Sequence, residues 1–455
     1  MGTPLSSARV TAPPALAAER EVIWPRRTSR TLANGLHVVL VESHTIPKLV
    51  AQLVFRSGNA AGVAAGLADI SATVVRTGTQ QRTSRQIEEE LRRMGADLST
   101  GAGADSSWVS IAGLSEFSRG LLEMVADLAR NASFPADEFE RERRQRLEEV
   151  RIERTTPGFL AGERLRKVLF GAHPYAVVSP SEAQVQGWQR EQLMEFYRRH
   201  YTAGNALLLM VGDFDAARMV EEVERVFGAW PGGKPEAATP AAPPELRGRR
   251  VHFVQFPGAV QTQVLLGNRS ITRKHPDWVR LSLANSIFGG AFNSRLIINI
   301  REQKGYTYSP RSTAHALRQQ GYFTVHAAVR NEVTAATLTE MFYEMDRMRS
   351  LPVEAEELEN AQSYLSGVFS LGLATQDGLL GQLSSVYLNE LPEDYLETYR
   401  ERVRALKAED VLEAARRYFD SANAQIVVVG DAAPVREQAA LFGEVESYDQ
   451  AGNRV

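Results

Sequence analysis

The chain contains an internal duplication, and this repeat limits its fold more than any other feature of the sequence. Residues 198–215 read RRHYTAGNALLLMVGDFD and residues 416–433 read RRYFDSANAQIVVVGDAA. In each segment an amphipathic helix leads into a short apolar strand that ends at Gly-Asp. Three residue types recur at one constant offset: Asn205 with Asn423, Gly212 with Gly430, and Asp213 with Asp431. The repeat predicts that the chain consists of two copies of one fold.

A proline-rich segment separates the two copies. Residues 231–248 read PGGKPEAATPAAPPELRG, with five prolines and few large apolar residues. Such a composition is typical of a stiff, exposed linker. We therefore predict a flexible tail over residues 1–27, a first domain over 28–230, the linker over 231–248, and a second, homologous domain over 249–447.

Strand and helix patterns alternate within each copy. The pair Asn34-Gly35 precedes a β-branched run and predicts a tight turn that leads into a strand. Thr83 and Gln86 have the spacing of a capping box, at the start of a helix whose apolar side carries Ile87. The very charged run over 138–154 predicts a helix with a solvated face. The interleaving predicts an α+β fold with mostly antiparallel sheets, each covered by helices on one face.

Composition excludes several classes of function. The 455 residues have a formal net charge of −3, so neither nucleic acid nor an anionic membrane is an expected partner. No apolar run approaches the roughly 20 residues that span a bilayer. The chain has no cysteine, which excludes disulfides, thiolate zinc sites and cysteine nucleophiles. The first twenty residues lack the basic and apolar regions of an intact signal peptide, a pattern that fits either a removed signal or a cytosolic tail.

One segment carries a specific resemblance. Residues 288–309, FGGAFNSRLIINIREQKGYTYS, closely resemble a signature of the pitrilysin family of zinc peptidases, which includes insulin-degrading enzyme and the mitochondrial processing peptidase. The TLANGLHVVLVE opening, the HPY loop at 173–175 and the repeated Gly-Asp strand ends agree in order, from about Ser29 to Asp431. The resemblance implies two homologous α+β domains that form half of a clamshell. Two such subunits close around a peptide, and an active subunit holds zinc on its first domain.

The zinc motif of that family is absent from this chain. Active members bind zinc through H-x-x-E-H, in which two histidines hold the metal and the glutamate is the general base. The segment GLADISATVVRTGT at 66–79 places Asp69 and Thr73 at the histidine positions and Ala72 at the position of the base. The later helix offers Glu148 and Glu149 for the remaining ligand, with Glu149 at the degenerate site. The resemblance thus implies no metal and no cofactor in this chain, and zinc in a partner subunit.

No other catalytic arrangement stands out. None of the eight histidines forms an i, i+4 pair, and there is no G-x-S-x-G motif. His315 and His326 are candidates to face each other across a hairpin, but polar residues on a sheet are the favoured interpretation. His173 is expected to be a structural loop residue.

The 288–309 segment contains Arg301 and Tyr308, seven residues apart. By resemblance, Tyr308 donates a hydrogen bond to the oxyanion of the tetrahedral intermediate, and Arg301 holds a substrate carbonyl at the partner's zinc site. Tyr306 competes for the role of Tyr308, as it is predicted to lie on the same strand face. The alternative interpretation makes Arg301 a helix C-terminal residue and Tyr308 a half-buried strand residue. The turn Gly289-Gly290 is expected to precede a helix over Ser294–Arg301.

These observations predict the non-catalytic, zinc-free subunit of a heterodimeric zinc metallopeptidase. Its partners would be a homologous zinc-bearing subunit and an extended peptide. The alternative is a scaffold or peptide-binding protein of the same fold, and an enzyme with a relocated site is the weakest hypothesis. Export to a bacterial periplasm is the favoured location, with the cytoplasm as the alternative.

Overall fold

The computed structural model describes residues 24–455, which form two six-stranded sheets. The first contains β1 (Arg27–Thr31), β2 (His37–Glu42), β3 (Lys48–Phe55), β4 (Asp97–Ala102), β5 (Ser107–Leu114) and β6 (Ala206–Gly212). The second contains β7 (Arg250–Gln255), β8 (Gln261–Ser270), β9 (Arg311–His315), β10 (Gly321–Arg330), β11 (Gln425–Gly430) and β12 (Glu444–Tyr448). The final strand thus ends one residue beyond the predicted limit of the second domain.

The two sheets repeat one topology. Their strand orders are β1-β2-β6-β3-β5-β4 and β12-β7-β11-β8-β10-β9. In each, one central pair is parallel (β2 with β6, β7 with β11), and the strands beyond it pair antiparallel. Only one outermost strand differs between the two sheets. Strand β1 is the first strand of its domain and pairs antiparallel with β2, whereas β12 is the last strand of its domain and pairs parallel with β7. The predicted α+β class, with two domains built on mostly antiparallel sheets, is confirmed.

Helices fill the connections between the strands. Those of the first repeat are α1 (Leu67–Val75), α2 (Ser84–Arg93), α3 (Ser118–Asn131), α4 (Ala136–Arg154), α5 (Pro157–Phe170), α6 (Glu182–Gly187), α7 (Arg190–His200) and α8 (Ala216–Phe227). Those of the second are α9 (Trp278–Asn285), α10 (Thr334–Ser350), α11 (Ala355–Gly372), α12 (Gln376–Leu388), α13 (Tyr395–Arg404), α14 (Ala408–Tyr418) and α15 (Ala432–Ala440). None of the helices within residues 24–455 combines the length and the apolar composition that a membrane-spanning segment requires.

Local sequence signals account for many of these boundaries. Helix α2 begins at the capping box of Thr83 and Gln86, and Ile87 and Leu91 form its buried side. Strand β5 alternates buried and partly exposed residues along its length, as a strand does when one face lies on the core. The repeated glycine at the strand ends has a steric cause in the first domain, because a Cβ at Gly212 would lie 2.4 Å from the Leu49 Cα atom.

Each sheet is covered on both faces, and the second face is covered by the other domain. Helix α5 of the first domain packs Leu160, Leu165 and Leu169 on the second sheet, against Leu265 and Val427. Helices α12 and α13 of the second domain in turn cover the outer face of the first sheet. The residues of that face are Val39, Val41, Val50, Leu207, Leu209 and Val211, and those of the helices include Leu379, Leu383, Val386 and Leu396.

The expectation of helices on one face of each sheet was therefore wrong. The physical reason is visible in β6 and β11, in which every residue is buried. A strand with apolar residues on both faces needs a cover on both sides. The cover is exchanged between equivalent helices, since α5 follows α4 as α12 follows α11.

The structure describes only the end of the predicted tail, and it describes the whole of the predicted linker. Residues 1–23 of the predicted tail lie outside the described residues. Its last residues are ordered, as Trp24 packs beside the outer face of the first sheet and Arg27 begins β1. The segment 231–248 contains no helix or strand. We keep this segment as the proposed domain boundary. Helices α5 and α12 nevertheless each pack on the sheet of the other domain.

We predict that Leu165→Ala destabilises the whole chain. Leu165 is 1% exposed and lies so close to β8 that a Cβ at Gly267 would come within 2.6 Å of its Cδ2 atom. Truncation leaves a cavity between the domains and should lower the free energy of unfolding by about 2–5 kcal/mol. Urea unfolding followed by circular dichroism measures this change. Ile152→Ala is the matched control, because Ile152 is 65% exposed on the preceding helix. Equal midpoints for the two variants would contradict the exchanged packing.

Candidate functional site

The degenerate zinc position lies between α1 and α4 of the first domain. Ala72 is fully buried, whereas Asp69 and Thr73 are half-buried. The Thr73 hydroxyl donates to the backbone carbonyl of Asp69 at 3.1 Å, one turn back in the same helix. Burial raises the pKa of the Asp69 carboxyl, and the nearby positive charge of Arg146 opposes that rise. The three positions therefore offer one carboxyl group and no imidazole.

Arg146 provides the positive charge at this position. Its side chain is only 17% exposed, and its Nη1 atom donates to Glu153 Oε1 at 2.9 Å and to Glu149 Oε2 at 3.1 Å. Its Nη2 atom donates to Ser179 Oγ at 2.7 Å. The Glu149 Oε1 atom accepts from Gln145 at 3.0 Å, so both oxygens of the surviving carboxylate are engaged.

These residues do not fit a zinc ion. Tetrahedral zinc sites use several deprotonated His, Cys, Asp or Glu ligands. In the part of the chain that the structure describes, no three such side chains come together as a metal site. Glu148, the other candidate acid on α4, instead pairs with Arg151 at 2.6 Å and is 65% exposed. A guanidinium within hydrogen-bond distance of Glu149 also repels a divalent cation.

The 288–309 segment brings three side chains together in one stack. The Arg301 guanidinium lies 4.4 Å from the centre of the Tyr308 ring and 5.0 Å from the centre of the Phe292 ring. Its Nε atom pairs with Glu302 Oε1 at 3.1 Å. Both rings are open to solvent, since Tyr308 is 76% exposed and Phe292 is 71% exposed. Cation–π contacts of this kind favour one orientation of the guanidinium.

The backbone around this stack departs from the predicted helix and strand. Wide π-helical turns occur at Ser286–Gly290 and Ile297–Gln303, and the second takes the place of most of the regular helix that was expected over Ser294–Arg301. The amide of Ala291 donates to the carbonyl of Ser286, five residues back, at 3.1 Å. Such turns are uncommon and recur at functional sites. Here Phe292 follows the first turn, and Arg301 lies within the second.

Tyr306 and Tyr308 lie in the loop before β9, so their predicted position on one strand face was wrong. Tyr306 is partly buried and packs against the core of the second domain. Tyr308 instead points away from that core and contacts Arg301. The alternative interpretation of Tyr308 as a half-buried strand residue was also wrong, because the tyrosine is largely exposed.

The structure brings Arg301 and Tyr308 together, but it does not join them to the degenerate zinc position. Among residues 24–455, no hydrogen bond or ion pair connects Asp69, Thr73 or Glu149 with the stack. Arg146 and Phe292 were not singled out from the sequence. Spacing holds a signal for Arg146, which precedes Glu149 and Glu153 by three and seven residues on one helix face. Phe292 lies within the recognised motif, but its exposure has no signal in the sequence.

The remaining histidine candidates have structural partners. His315 stacks on Tyr322 at 4.2 Å between ring centres, and His326 is 2.8 Å from Gln263 Oε1, so the two do not face each other. Burial lowers the pKa of each of these two rings to about 4, with nearby arginines adding to the effect. His173 accepts the backbone amide of Tyr175 at 3.0 Å, in keeping with a role in shaping its loop.

Known proteins share both the sequence pattern and the fold. The chain matches the model of insulinase (peptidase family M16) over residues 37–172 and that of the peptidase M16 inactive domain over residues 187–365. It is 24% identical over 405 residues to an uncharacterized zinc protease of Rickettsia bellii, across 87% of this chain and 96% of that protein. An uncharacterized zinc protease of Mycobacterium tuberculosis is 26% identical over 403 residues, across 86% and 90% of the two chains.

Two solved structures superpose over nearly their full length. A peptidase M16 inactive domain from Pseudomonas fluorescens has a TM-score of 0.83 and 28% identity, with 89% of this chain and 98% of that chain covered. A protease from Helicobacter pylori has the same fold, with a TM-score of 0.83, 21% identity, and 89% and 100% of the two chains covered. As its resemblance to the pitrilysin peptidases predicted, the chain belongs to peptidase family M16.

Proposed function

We propose that this chain is the zinc-free subunit of a two-chain M16 metallopeptidase. In this proposal a homologous partner carries the zinc, and this chain supplies Arg301, Tyr308 and half of a chamber that holds an extended peptide. The Phe292–Arg301–Tyr308 stack carries the proposal, because it orders the Arg301 guanidinium against two solvent-exposed rings, one of which bears a hydroxyl donor.

The chemistry of the stack suits peptide hydrolysis in trans. The Tyr308 phenol is a directional donor, and donation to the developing oxyanion would stabilise the transition state over the ground state. The Nε edge of Arg301 is engaged by Glu302, which leaves the terminal Nη groups for a substrate backbone carbonyl. Ordering by two aromatic rings lowers the entropy that the arginine loses when substrate binds.

The degenerate position supports a division of labour between two chains. Ala72 has no group that accepts a proton, and the Glu149 carboxylate accepts hydrogen bonds from Arg146 and Gln145. Water activation is therefore assigned to the partner, and no catalytic step is assigned to the Asp69 position. The second candidate is a peptide-binding or scaffold protein of the same fold, which the exposed aromatic rings of the stack also favour.

We predict that Tyr308→Phe slows peptide cleavage by the copurified complex. Loss of one oxyanion donor should lower kcat by about 10²–10³-fold and leave KM nearly unchanged. The measurement is zinc-dependent hydrolysis of an unstructured peptide by the complex recovered with a tagged form of this chain.

Tyr306→Phe is the matched control, since it removes a phenol hydroxyl from the half-buried tyrosine two residues away. Its kcat should equal that of the wild-type complex. Undiminished cleavage by the Tyr308→Phe complex would favour the scaffold, and recovery of this chain without any zinc peptidase would contradict the two-chain proposal.

We also predict that restoring the motif alone does not restore a good zinc site. A variant with Asp69→His, Ala72→Glu and Thr73→His should bind zinc weakly while Arg146 holds Glu149. Addition of Arg146→Gln should tighten zinc binding by about tenfold or more, because the carboxylate is released and a positive charge is removed. Competition with a zinc chelator measures the affinity, and circular dichroism verifies the fold.

Arg151→Gln, added to the same triple variant, is the control on the same helix. Arg151 pairs with Glu148 and Glu182 and not with Glu149, so this change should leave zinc affinity unaltered. Equal zinc affinity with and without Arg146 would show that the guanidinium does not block the site. Stoichiometric zinc in the purified wild-type chain would contradict its assignment as the zinc-free subunit.

A further inference from the structure

A cavity of about 610 Å³ lies where the two domains meet the segment 231–248. Its walls come from the segment after β3, the β4–β5 turn, the end of α7, the turn before β6, residues 234–238 of the connecting segment, the β9–β10 hairpin, and the turn after α12. Neither the degenerate zinc position nor the Phe292–Arg301–Tyr308 stack contributes to its lining. It is therefore a separate site from both.

Two acidic residues in the wall, Asp105 and Glu390, already have partners. Asp105 accepts the Tyr175 hydroxyl at 2.5 Å and the backbone amide of Arg318 at 2.9 Å. Glu390 forms an ion pair with Lys274 at 2.8 Å. Lys234 and Glu236, two residues apart in the connecting segment, bring opposite charges to the same wall.

Two arginines in the wall have no such partner. Arg56 is partly buried, and its Nη1 atom donates only to the carbonyl of Tyr387, at 3.1 Å. Within residues 24–455, neither Arg56 nor Arg318 forms an ion pair with a carboxylate. Burial lowers the pKa of Arg56 and the like charge of Arg318 lowers it further, whereas the carboxylate of Glu390 opposes the fall. Two guanidinium groups that line one cavity and form no ion pair are suited to donate hydrogen bonds to an anion.

A buried histidine adds a neutral donor to the same wall. His200 is 3% exposed, and its Nδ1 atom lies 2.9 Å from Ser57 Oγ. Ser57 Oγ accepts from Asn205 Nδ2 at 3.1 Å, and among the described residues His200 Nδ1 is the one acceptor within reach of the Ser57 hydroxyl proton. That assigns the ring proton to Nε2, which has no hydrogen-bond partner among the described residues. Burial, with a smaller effect from Arg199, lowers the pKa of His200 to about 4 and keeps the ring neutral at pH 7.

We propose that this cavity binds a small organic anion. Arg56 and Arg318 hold its carboxylate or phosphate group, and His200 Nε2 donates one further hydrogen bond. Guanidinium groups match both kinds of anion through paired N–H donors. The volume falls in the range of about 300–1,000 Å³ that is usual for small-molecule sites. Alanine methyl groups, from Ala60, Ala61, Ala104, Ala237 and Ala238, provide an apolar wall for the body of the ligand.

Binding should stabilise the full chain, because the wall draws on both domains and the segment between them. A ligand that binds only the folded state raises the melting temperature. The probes are inorganic phosphate, trialanine with a free carboxylate, and trialanine amide, each titrated at constant ionic strength set with sodium chloride. We expect phosphate or free trialanine to raise Tm and to give a saturable isotherm by calorimetry, and we expect the amide to do neither.

Arg318→Gln and Arg56→Gln should each weaken that binding by about tenfold or more, as charged hydrogen bonds are lost. Arg318 is exposed, so its substitution tests the site even where Arg56→Gln lowers stability. Arg93→Gln is the control, an exposed arginine at the end of α2 that does not line the cavity. Saturation by phosphate alone assigns a phosphate ligand, and saturation by free trialanine alone assigns a carboxylate.

Three results would overturn the proposal: no probe raises Tm, the amide binds as well as free trialanine with no response to phosphate, or Arg318→Gln binds each probe like the wild type. None of these results bears on Tyr308. Loss of peptidase activity in Tyr308→Phe, conversely, would leave the anion site untouched.

Discussion

The reciprocal cover of the two sheets is the interaction on which the rest of the structure depends. Strands β6 and β11 are buried along their whole length, and each has an apolar face that its own domain does not cover. Burial of such a face contributes about 25 cal/mol per Å² of apolar surface removed from water. Because α5 covers the second sheet and α12 covers the first, each domain completes the core of the other.

The repeat and most elements could be predicted from the sequence, because hydrophobic periodicity and turn residues act locally. Thr83 and Gln86 indicated the start of α2, and the Gly-Asp pairs indicated the ends of β6 and β11. The exchange of helices could not be predicted in the same way, since the apolar side of α5 is equally suited to either sheet. One signal did exist: the unbroken apolar run over residues 206–211 has no polar face, which indicates a strand covered on both sides.

The candidate site shows a similar division. Loss of zinc ligands at Asp69 and Thr73 and retention of Arg301 and Tyr308 followed from the resemblance to the family's sequence motifs. The sequence did not reveal that Arg146 reaches Glu149, because a charged helix offers many pairings and only the packing selects one. Nor did it reveal that Phe292 flanks Arg301, since that contact depends on two π-helical turns that regular helix patterns do not predict. Motif recognition found the chemistry, and three-dimensional contacts were needed to find what orders it.

The exchanged helices also restrict how the chain moves. A proline-rich connection between two similar domains is usually the place to look for a hinge, but here any rotation about residues 231–248 would pull α5 off one sheet and α12 off the other. We therefore expect the two domains to move as one body. Under the proposed two-chain function, the opening that admits a substrate would then lie between the two chains, and the contacts at that interface would set its opening rate.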